Sequence, residues 1–285
     1  MVIREKIKGK SKYYYLYINI RKGNKVISKQ KYLGKEIPKN IEEIEREFER
    51  EANEDFWNRI EKIRNSFQKE WKNIPESVKK KELEEISIAF TYNTNAIEGS
   101  TITLEEVREI VQDKISPNKP IRDVREAEAH SNVFLNMLEK REKITNKLLL
   151  GWHQRIFGES KSDISGKFRD YLVRIGLYLA PDWQEVEGMM DKMIKFIEQS
   201  KINPVELSAR AHYKFEKIHP FGDGNGRIGR LLMNDILWKA GYPMLIIEYK
   251  KRRSYYKALQ KDEEGFVKYF IRRYMTVHKK RYLGV

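Results

Sequence analysis

From Ile41 onward, apolar residues recur at intervals of three and four, and this periodicity constrains the chain more than any other feature. Ile41, Ile44 and Phe48, then Phe56, Trp57, Ile60 and Ile63, mark the buried side of a charge-dense helical stretch that Pro75 interrupts. A second helical stretch is expected from about Glu76 to Asn95. Local signals start several more. Thr103 with Glu106 forms a capping box ahead of Val107, Ile110 and Val111. Val124 to Leu138 follows two prolines, and Thr145 precedes Leu148, Leu149, Trp152 and Ile156 on one helical face. Asn203-Pro204, with Glu206 as capping partner, supplies an N-cap and a first-turn proline for Leu207, Ala211, Phe215 and Ile218. Leu231 to Ala240 is stopped by Gly241 and Pro243. The fold class expected is mainly α.

Two stretches break the helical pattern. Lys12 to Ile20 is aromatic and β-branched, and Gly23-Asn24 is a favoured hairpin dipeptide before Val26 and Ile27. With Lys29 to Gly34 this predicts a small basic β unit over residues 1–36. Within a strand, Tyr13, Tyr15 and Tyr17 share one face while Tyr14 and Leu16 share the other, which suits a small sheet packed on helices. The second stretch, Tyr171 to Leu179 with Gly176 at its centre, is expected to be a short hairpin.

Charge narrows the partners. The chain carries a formal net charge of +15. Residues 1–35 hold 11 lysines and arginines against one acid, and residues 250–281 hold 12 against 3. A surplus gathered at two ends suits a polyanionic partner, although a Lys/Glu-rich solvated surface gives the same count. No apolar run approaches the roughly 18 residues of a spanning helix, so no membrane partner is expected. With no cysteine in 285 residues, disulfides, thiolate zinc sites and a cysteine nucleophile are excluded. A cytoplasmic location is the expectation.

The chemistry is concentrated in Ile218-His219-Pro220-Phe221-Gly222-Asp223-Gly224-Asn225-Gly226-Arg227-Ile228-Gly229-Arg230, between two expected helices. Its glycines allow successive N–H groups to converge into an anion nest, and the following helix adds the positive end of its dipole. Arg227 and Arg230 lie three apart, so both guanidinium groups can reach the same phosphates. His219 is the side chain best suited to proton abstraction near neutral pH, and Asp223 is a hard oxygen ligand suited to Mg²⁺. Together these are the parts of a phosphoryl or nucleotidyl transfer site.

His219 to Arg230 resembles the signature of Fic-domain proteins, H-x-F-x-[D/E]-G-N-G-R-x-x-R, at each specified position. The resemblance runs from roughly Thr94 to Tyr269. It implies a Fic-type helical core over 116–285, preceded by a helical region over 37–115 and the β-rich unit over 1–36. It also implies transfer of AMP from ATP to a Ser, Thr or Tyr hydroxyl of a protein, self-modification included. By the family pattern His219 is the general base and Asp223 the Mg²⁺ ligand. Gly224, Asn225 and Gly226 form the anion hole, with Arg227 near the α- and β-phosphates and Arg230 near the γ-phosphate. Thr94-Asn95-Ala96-Ile97-Glu98-Gly99 is similar to the family's inhibitory motif, which implies that Glu98 pairs with Arg230 and blocks the γ-phosphate site. Lys167-Phe168-Arg169, with Val173, Arg174, Ile175 and Gly176, resembles the family's target-binding flap, where a protein substrate pairs by β-augmentation. Tyr255 and Tyr256 resemble a pair that borders the adenine; Glu263 stands where relatives often carry asparagine. A phosphotransferase branch usually has lysine where this chain has Gly226, so the resemblance implies nucleotidyl transfer.

Gly9-Lys10-Ser11 ends like a P-loop, but Arg4 occupies the place of its first glycine. Glu126 and His130 lie one helical turn apart, and His212 precedes His219 by seven; without a third ligand these read as helix-surface or core residues. Two alternatives to the transferase fit the same sequence. One is removal of AMP with Glu98 orienting water. The other is a nucleic-acid-binding protein whose amino-terminal tyrosines and lysines do the binding while the Fic core senses nucleotide. Self-association is a further open partner.

Overall fold

Two antiparallel hairpin links build the amino-terminal sheet. Strands β1 (Val2–Lys8), β2 (Ser11–Lys22) and β3 (Lys25–Gly34) lie in that spatial order, with Ile3 opposite Leu16 and Tyr15 opposite Tyr32. The computed structural model describes residues 1–22, 25–176 and 178–284, so the expected Gly23-Asn24 turn and Leu177 lie outside the described residues. The strand β1 goes beyond the sequence expectation. Its charged residues hide it, and it exists because β2 offers a partner through a turn in which Gly9 takes φ +63°. Helix α1 (Ile41–Ala52) closes one face of the sheet: Leu16, Ile18, Phe48 and Ala52 are buried together.

The chain divides into two units, residues 1–63 and 64–285, with the division falling inside α2 (Glu54–Asn73). In the larger unit the order is α3 (Glu76–Ile97), α4 (Leu104–Arg108), α5 (Ile121–Lys140), α6 (Asn146–Phe157), a hairpin of β4 (Arg174–Ile175) and β5 (Tyr178–Leu179), then α7 (Val186–Gln199), α8 (Pro204–Ile218), α9 (Asn225–Lys239), α10 (Arg252–Leu259) and α11 (Glu263–Leu283). Among the described residues no helix is long and apolar enough to cross a membrane.

The expected start signals are present where they were read. Thr103 accepts from the Glu106 N–H at 3.2 Å while the Glu106 carboxylate accepts from the Thr103 N–H at 2.8 Å. Asn203 accepts from the Val205 N–H at 2.9 Å with Pro204 in the first turn. Glu206 also accepts from Arg210 one turn on. Helix α9 begins at Asn225, six residues earlier than its apolar run suggests, so the glycine-rich signature itself supplies the first turn.

The core lies between α8 and α9 and the helices around them: Phe134, Leu149, Trp152, Phe157, Met190, Phe215, Ile228 and Leu232 are all at most 2% exposed. Gly229 suits this packing, since a Cβ there would lie 3.0–3.1 Å from side-chain atoms of His212, Phe215 and Glu216 on α8 and would push them by a few tenths of an ångström.

Every histidine of the chain is placed where the neutral ring is favoured. Burial pushes His130 and His212 down to about 3, and His153, His219 and His278 down to about 4. In the unfolded chain these rings take protons near pH 6.5. Their contribution to stability is therefore complete above pH 6.5 and lost as the pH falls toward 4. Glu216 and Asp235, raised by burial to about 7 and about 6, act in the opposite sense but are two groups against five. Thermal unfolding followed at pH 7.5 and pH 5.0 should give the lower midpoint at pH 5.0; an unchanged or higher midpoint there would contradict five neutral histidines.

Candidate active site

The turn between α8 and α9 is held from three sides. His219 ends α8 in the left-handed region, φ +52°, with its N–H still donating to Phe215 O at 2.9 Å. Phe221 is fully buried and stacks on His153 of α6 with ring centroids 4.0 Å apart. Asn225 staples the turn: its side-chain oxygen accepts from the Phe221 N–H at 2.9 Å and its amide donates to Phe221 O at 2.8 Å. Its side chain is thus committed to the loop, and only its backbone faces the helix N-terminus. Gly224, the N-cap, takes φ +79° with the Phe157 ring 2.4 Å from where a Cβ would sit.

His219 Nδ1 donates to the Glu216 carbonyl at 3.3 Å, a bond that only the Nδ1–H tautomer can make, and this leaves Nε2 with a lone pair. The ring pKa of about 4, set first by burial, keeps it unprotonated at neutral pH. Arg169 fixes the backbone beneath it. This arginine, 4% exposed, donates to four carbonyls: His219 (2.8 Å), Tyr171 (2.8 Å), Pro181 (2.6 Å) and Ile218 (3.4 Å). It thereby ties both ends of the β4–β5 hairpin to the histidine. The hairpin pairs Arg174 with Leu179 and Ile175 with Tyr178, Gly176 turns with φ +60°, and Tyr178 donates to Lys217 O at 2.8 Å. Ile175 and Leu179 are exposed beside Val173 and Arg174.

Asp223 faces a cavity of about 240 Å³ shared with Glu98, Asn95, Glu126, Lys161 and Arg227. One oxygen accepts from the Gly224 N–H at 2.6 Å and the other meets Lys161 Nζ at 2.7 Å. Burial acts to raise this carboxyl, but Lys161, Arg227 and the Gly224 N–H outweigh it and hold it below the usual range. Lys161 also meets Glu126 at 3.1 Å, and Arg227 is paired to the other Glu126 oxygen. Burial would raise Glu126 as well; Arg227, Ser160 and Lys161 hold it ionised. The Arg227 guanidinium lies 4.3 Å over the Phe157 ring.

Arg230 is 1% exposed and is held by the end of α3. Its Nε donates to Thr94 Oγ1 at 2.7 Å, and Nη2 donates to Thr94 O at 3.2 Å and to Glu98 at 2.6 Å. The Glu98 carboxylate lies directly above Gly226, 2.2 Å from where a Cβ would be, so glycine is required for this approach to the α9 N-terminus. Tyr255 is fully buried, donating or accepting with His212 at 2.8 Å and reaching Arg230 at 3.5 Å, and it supports Arg230 from behind. Burial, then Glu216, raises its phenol well above the usual value. Tyr256 is 40% exposed and donates to Ile97 O at 3.2 Å beside Glu98. Glu263 lies at the start of α11, neutralised by Arg210 at 3.0 Å and Lys214 at 2.8 Å.

The sequence reading missed Lys161, His153 and the role of Arg169, and it set Glu126 aside. His130 and His212 are core residues, as read. His153 donates through Nε2 to Asp223 O and accepts from the Gly166 N–H, each at 3.0 Å. A histidine within an amphipathic stretch is the only local sign of it. Among the described residues no group of three or more His, Cys, Asp or Glu side chains is placed to hold a metal ion.

A neutral histidine, a glycine-rich helix N-terminus and two arginines thus meet at one turn of a helical domain. Residues 143–237 match the Fic/DOC family, and the chain is a Fic-domain protein. It is 35% identical over 201 residues to a protein adenylyltransferase Fic of Nematostella vectensis, covering 68% of this chain and 47% of that protein. The chain spans less than half the length of the curated relatives it matches first. A solved structure of Fic-1 from C. elegans is 27% identical with a TM-score of 0.69, over 82% of this chain and 72% of that one. A Fic domain containing signaling protein from Bacteroides thetaiotaomicron shares the fold at a TM-score of 0.67 and 24% identity, over 78% of this chain and 98% of that one.

Arg169→Lys should destabilise the protein by about 2 kcal/mol, because one ammonium cannot satisfy carbonyls on both sides of the hairpin base. Denaturant unfolding of the variant measures this, and an unchanged midpoint would show that the four contacts carry no stability.

Proposed function

We propose that the chain is a protein adenylyltransferase restrained by its own Glu98, transferring AMP from ATP to a hydroxyl of a protein. The observation that carries this reading is the 2.6 Å pair between Glu98 and the buried Arg230, directly over the Gly226 backbone. A carboxylate at that point repels a triphosphate and occupies the guanidinium that would neutralise it. The curated relatives are named protein adenylyltransferases, which supports the choice of nucleotide and reaction.

In the forward direction Glu98 withdraws and Arg230 pairs with the γ-phosphate, while Arg227 and the N–H groups of Asn225 and Gly226 face the phosphates nearer the ribose. Tyr256 borders the base, with Tyr255 beneath. The target hydroxyl lies along the flap residues Val173, Arg174, Ile175 and Gly176. His219 Nε2 takes its proton, the oxygen bonds to the α-phosphorus, and the bond to the bridging oxygen breaks to release pyrophosphate. A neutral ring accepts that proton without first losing one, so little acid-side loss of rate from His219 is expected above pH 5.

The donor set at Asp223, a carboxylate open to the cavity beside phosphate oxygens, fits a hard divalent cation such as Mg²⁺. Asp223 would hold it, and the ion would supply charge neutralisation of the phosphates. Lys161 now lies against the same oxygen, so it is the side chain that gives way or shares that corner. Removal of AMP is a second reading, favoured by one observation: the Glu98 side chain, 31% exposed, opens onto the same cavity as Asp223.

ATP labelled at the α-phosphate tests both. Glu98→Gly should incorporate at least about 10-fold more label than wild type, equal to about 1.4 kcal/mol of relieved repulsion. Adding His219→Ala should then remove label by on the order of 10²- to 10⁴-fold. Glu98→Gly without label on itself or on added protein would overturn the transferase; label lost from pre-modified protein by wild type, but not by Glu98→Gly, would favour AMP removal.

A further inference from the structure

The outer face of the amino-terminal sheet has no role in the chemistry above. Register places Arg4, Tyr15 and Tyr32 in one row across the three strands, and Val2, Tyr17 and Gln30 in the next. Lys6 pairs with Tyr13 beyond them, and Asn19 with Ser28 on the other side. Because side chains alternate, these residues share the face opposite Leu16 and Ile18, which α1 covers. The face is preorganised. Tyr32 contacts Tyr15 and Tyr13 with centroids 5.2 and 6.2 Å apart, Lys6 lies 4.6 Å over the Tyr15 ring, and Arg4 lies 5.0 Å over Tyr17. Arg4, Lys6, Asn19, Ser28 and Gln30 are all exposed.

We infer that this face binds duplex DNA in the major groove. Charge points there first. By register Arg4, Lys6 and Lys8 lie exposed on this face with no acid among them, whereas Lys29 and Lys31 point to the other face and reach Glu51 of α1, which also carries Glu42, Glu43 and Glu47 exposed, so the outer face is the one that complements a polyanion. Size agrees for adjacent strands: they lie about 5 Å apart, and the major groove, about 12 Å wide, admits a two-stranded ribbon. The head groups agree as well. Arg4, Gln30 and Asn19 are the types that read guanine and adenine edges there, and the exposed Lys8 and Lys10 at the sheet's end are placed for phosphates. Stacking of single-stranded bases is the less suited mode, since Tyr15 and Tyr17 are already covered by Lys6 and Arg4 and Tyr13 leans on Tyr32.

The test uses the full chain, a fluorescein-labelled 20-base-pair duplex of mixed sequence, and its single strand. Anisotropy titrations at 50 and 200 mM salt should show duplex binding that weakens at least 10-fold with salt. Arg4→Glu with Lys6→Glu should weaken it at least 30-fold, against less than 3-fold for Lys279→Glu with Lys280→Glu, an equal charge change on exposed positions of α11. Arg4→Gln with Lys6→Gln replaces the first pair if circular dichroism shows that it fails to fold. Absence of binding at 10 μM protein and 50 mM salt would overturn the proposal. So would equal losses for the two pairs, or tighter binding of the single strand.

Discussion

A guanidinium keeps its charge at any pH a protein meets, and Arg230 keeps it at 1% exposure. Such a group is tolerated only where other atoms replace the water it has lost. Thr94 supplies a hydroxyl and a carbonyl, Glu98 a carboxylate, and Tyr255 a phenol. Those partners come from the end of α3 and from α10, far apart in sequence, so solvating one arginine fixes where α3 ends against α9. The placement of Glu98 over the α9 N-terminus follows from this requirement, and so does the need for glycine at position 226. The restraint proposed for this protein is thus built from the same contacts that make its core possible.

A second polar cluster lies on the other side of the cavity and balances charge differently. Glu126, Lys161, Asp223 and Arg227 form an alternating chain of two anions and two cations. Each pair lowers the cost of burying its neighbour, and the carboxyls of Glu126 and Asp223 stay ionised although burial alone would protonate them more readily. Because Lys161 bridges both carboxylates, the site enters any reaction already close to electroneutral at this corner. An incoming polyphosphate therefore meets paired charges that must rearrange, and not an open electropositive surface.

Local chemistry was legible in the sequence and long-range pairing was not. The capping box at Thr103, the Asn203-Pro204 start and the signature from His219 to Arg230 are each written within a dozen residues, and each is found in place. Alternation alone sets Leu16 on the face opposite Tyr13, Tyr15 and Tyr17, and the packing of α1 decides that this is the buried one. In contrast, β1 is visible only beside β2, and Glu126 on α5 gains its meaning from Lys161 and Arg227, which only tertiary packing brings near. Arg169 is the clearest case. As a letter it belongs to a flap pattern; in the fold it grips the carbonyl of His219 itself, a backbone contact that no side-chain periodicity encodes. Tyr255, expected beside the nucleotide, is fully enclosed and touches Arg230, a burial that its place in a short aromatic pair does not reveal.

His219 is one of three non-glycine residues at positive φ among those described, with Lys114 and Arg141. A side chain with a Cβ costs about 1 kcal/mol or more in that region, and glycine or asparagine would relieve most of it. Folding alone therefore does not favour histidine at this position. On the role proposed for it as the base, a chain released from that role would become more stable by drifting to either replacement. On that reading, thermal stability and the proposed chemistry pull this one codon in opposite directions.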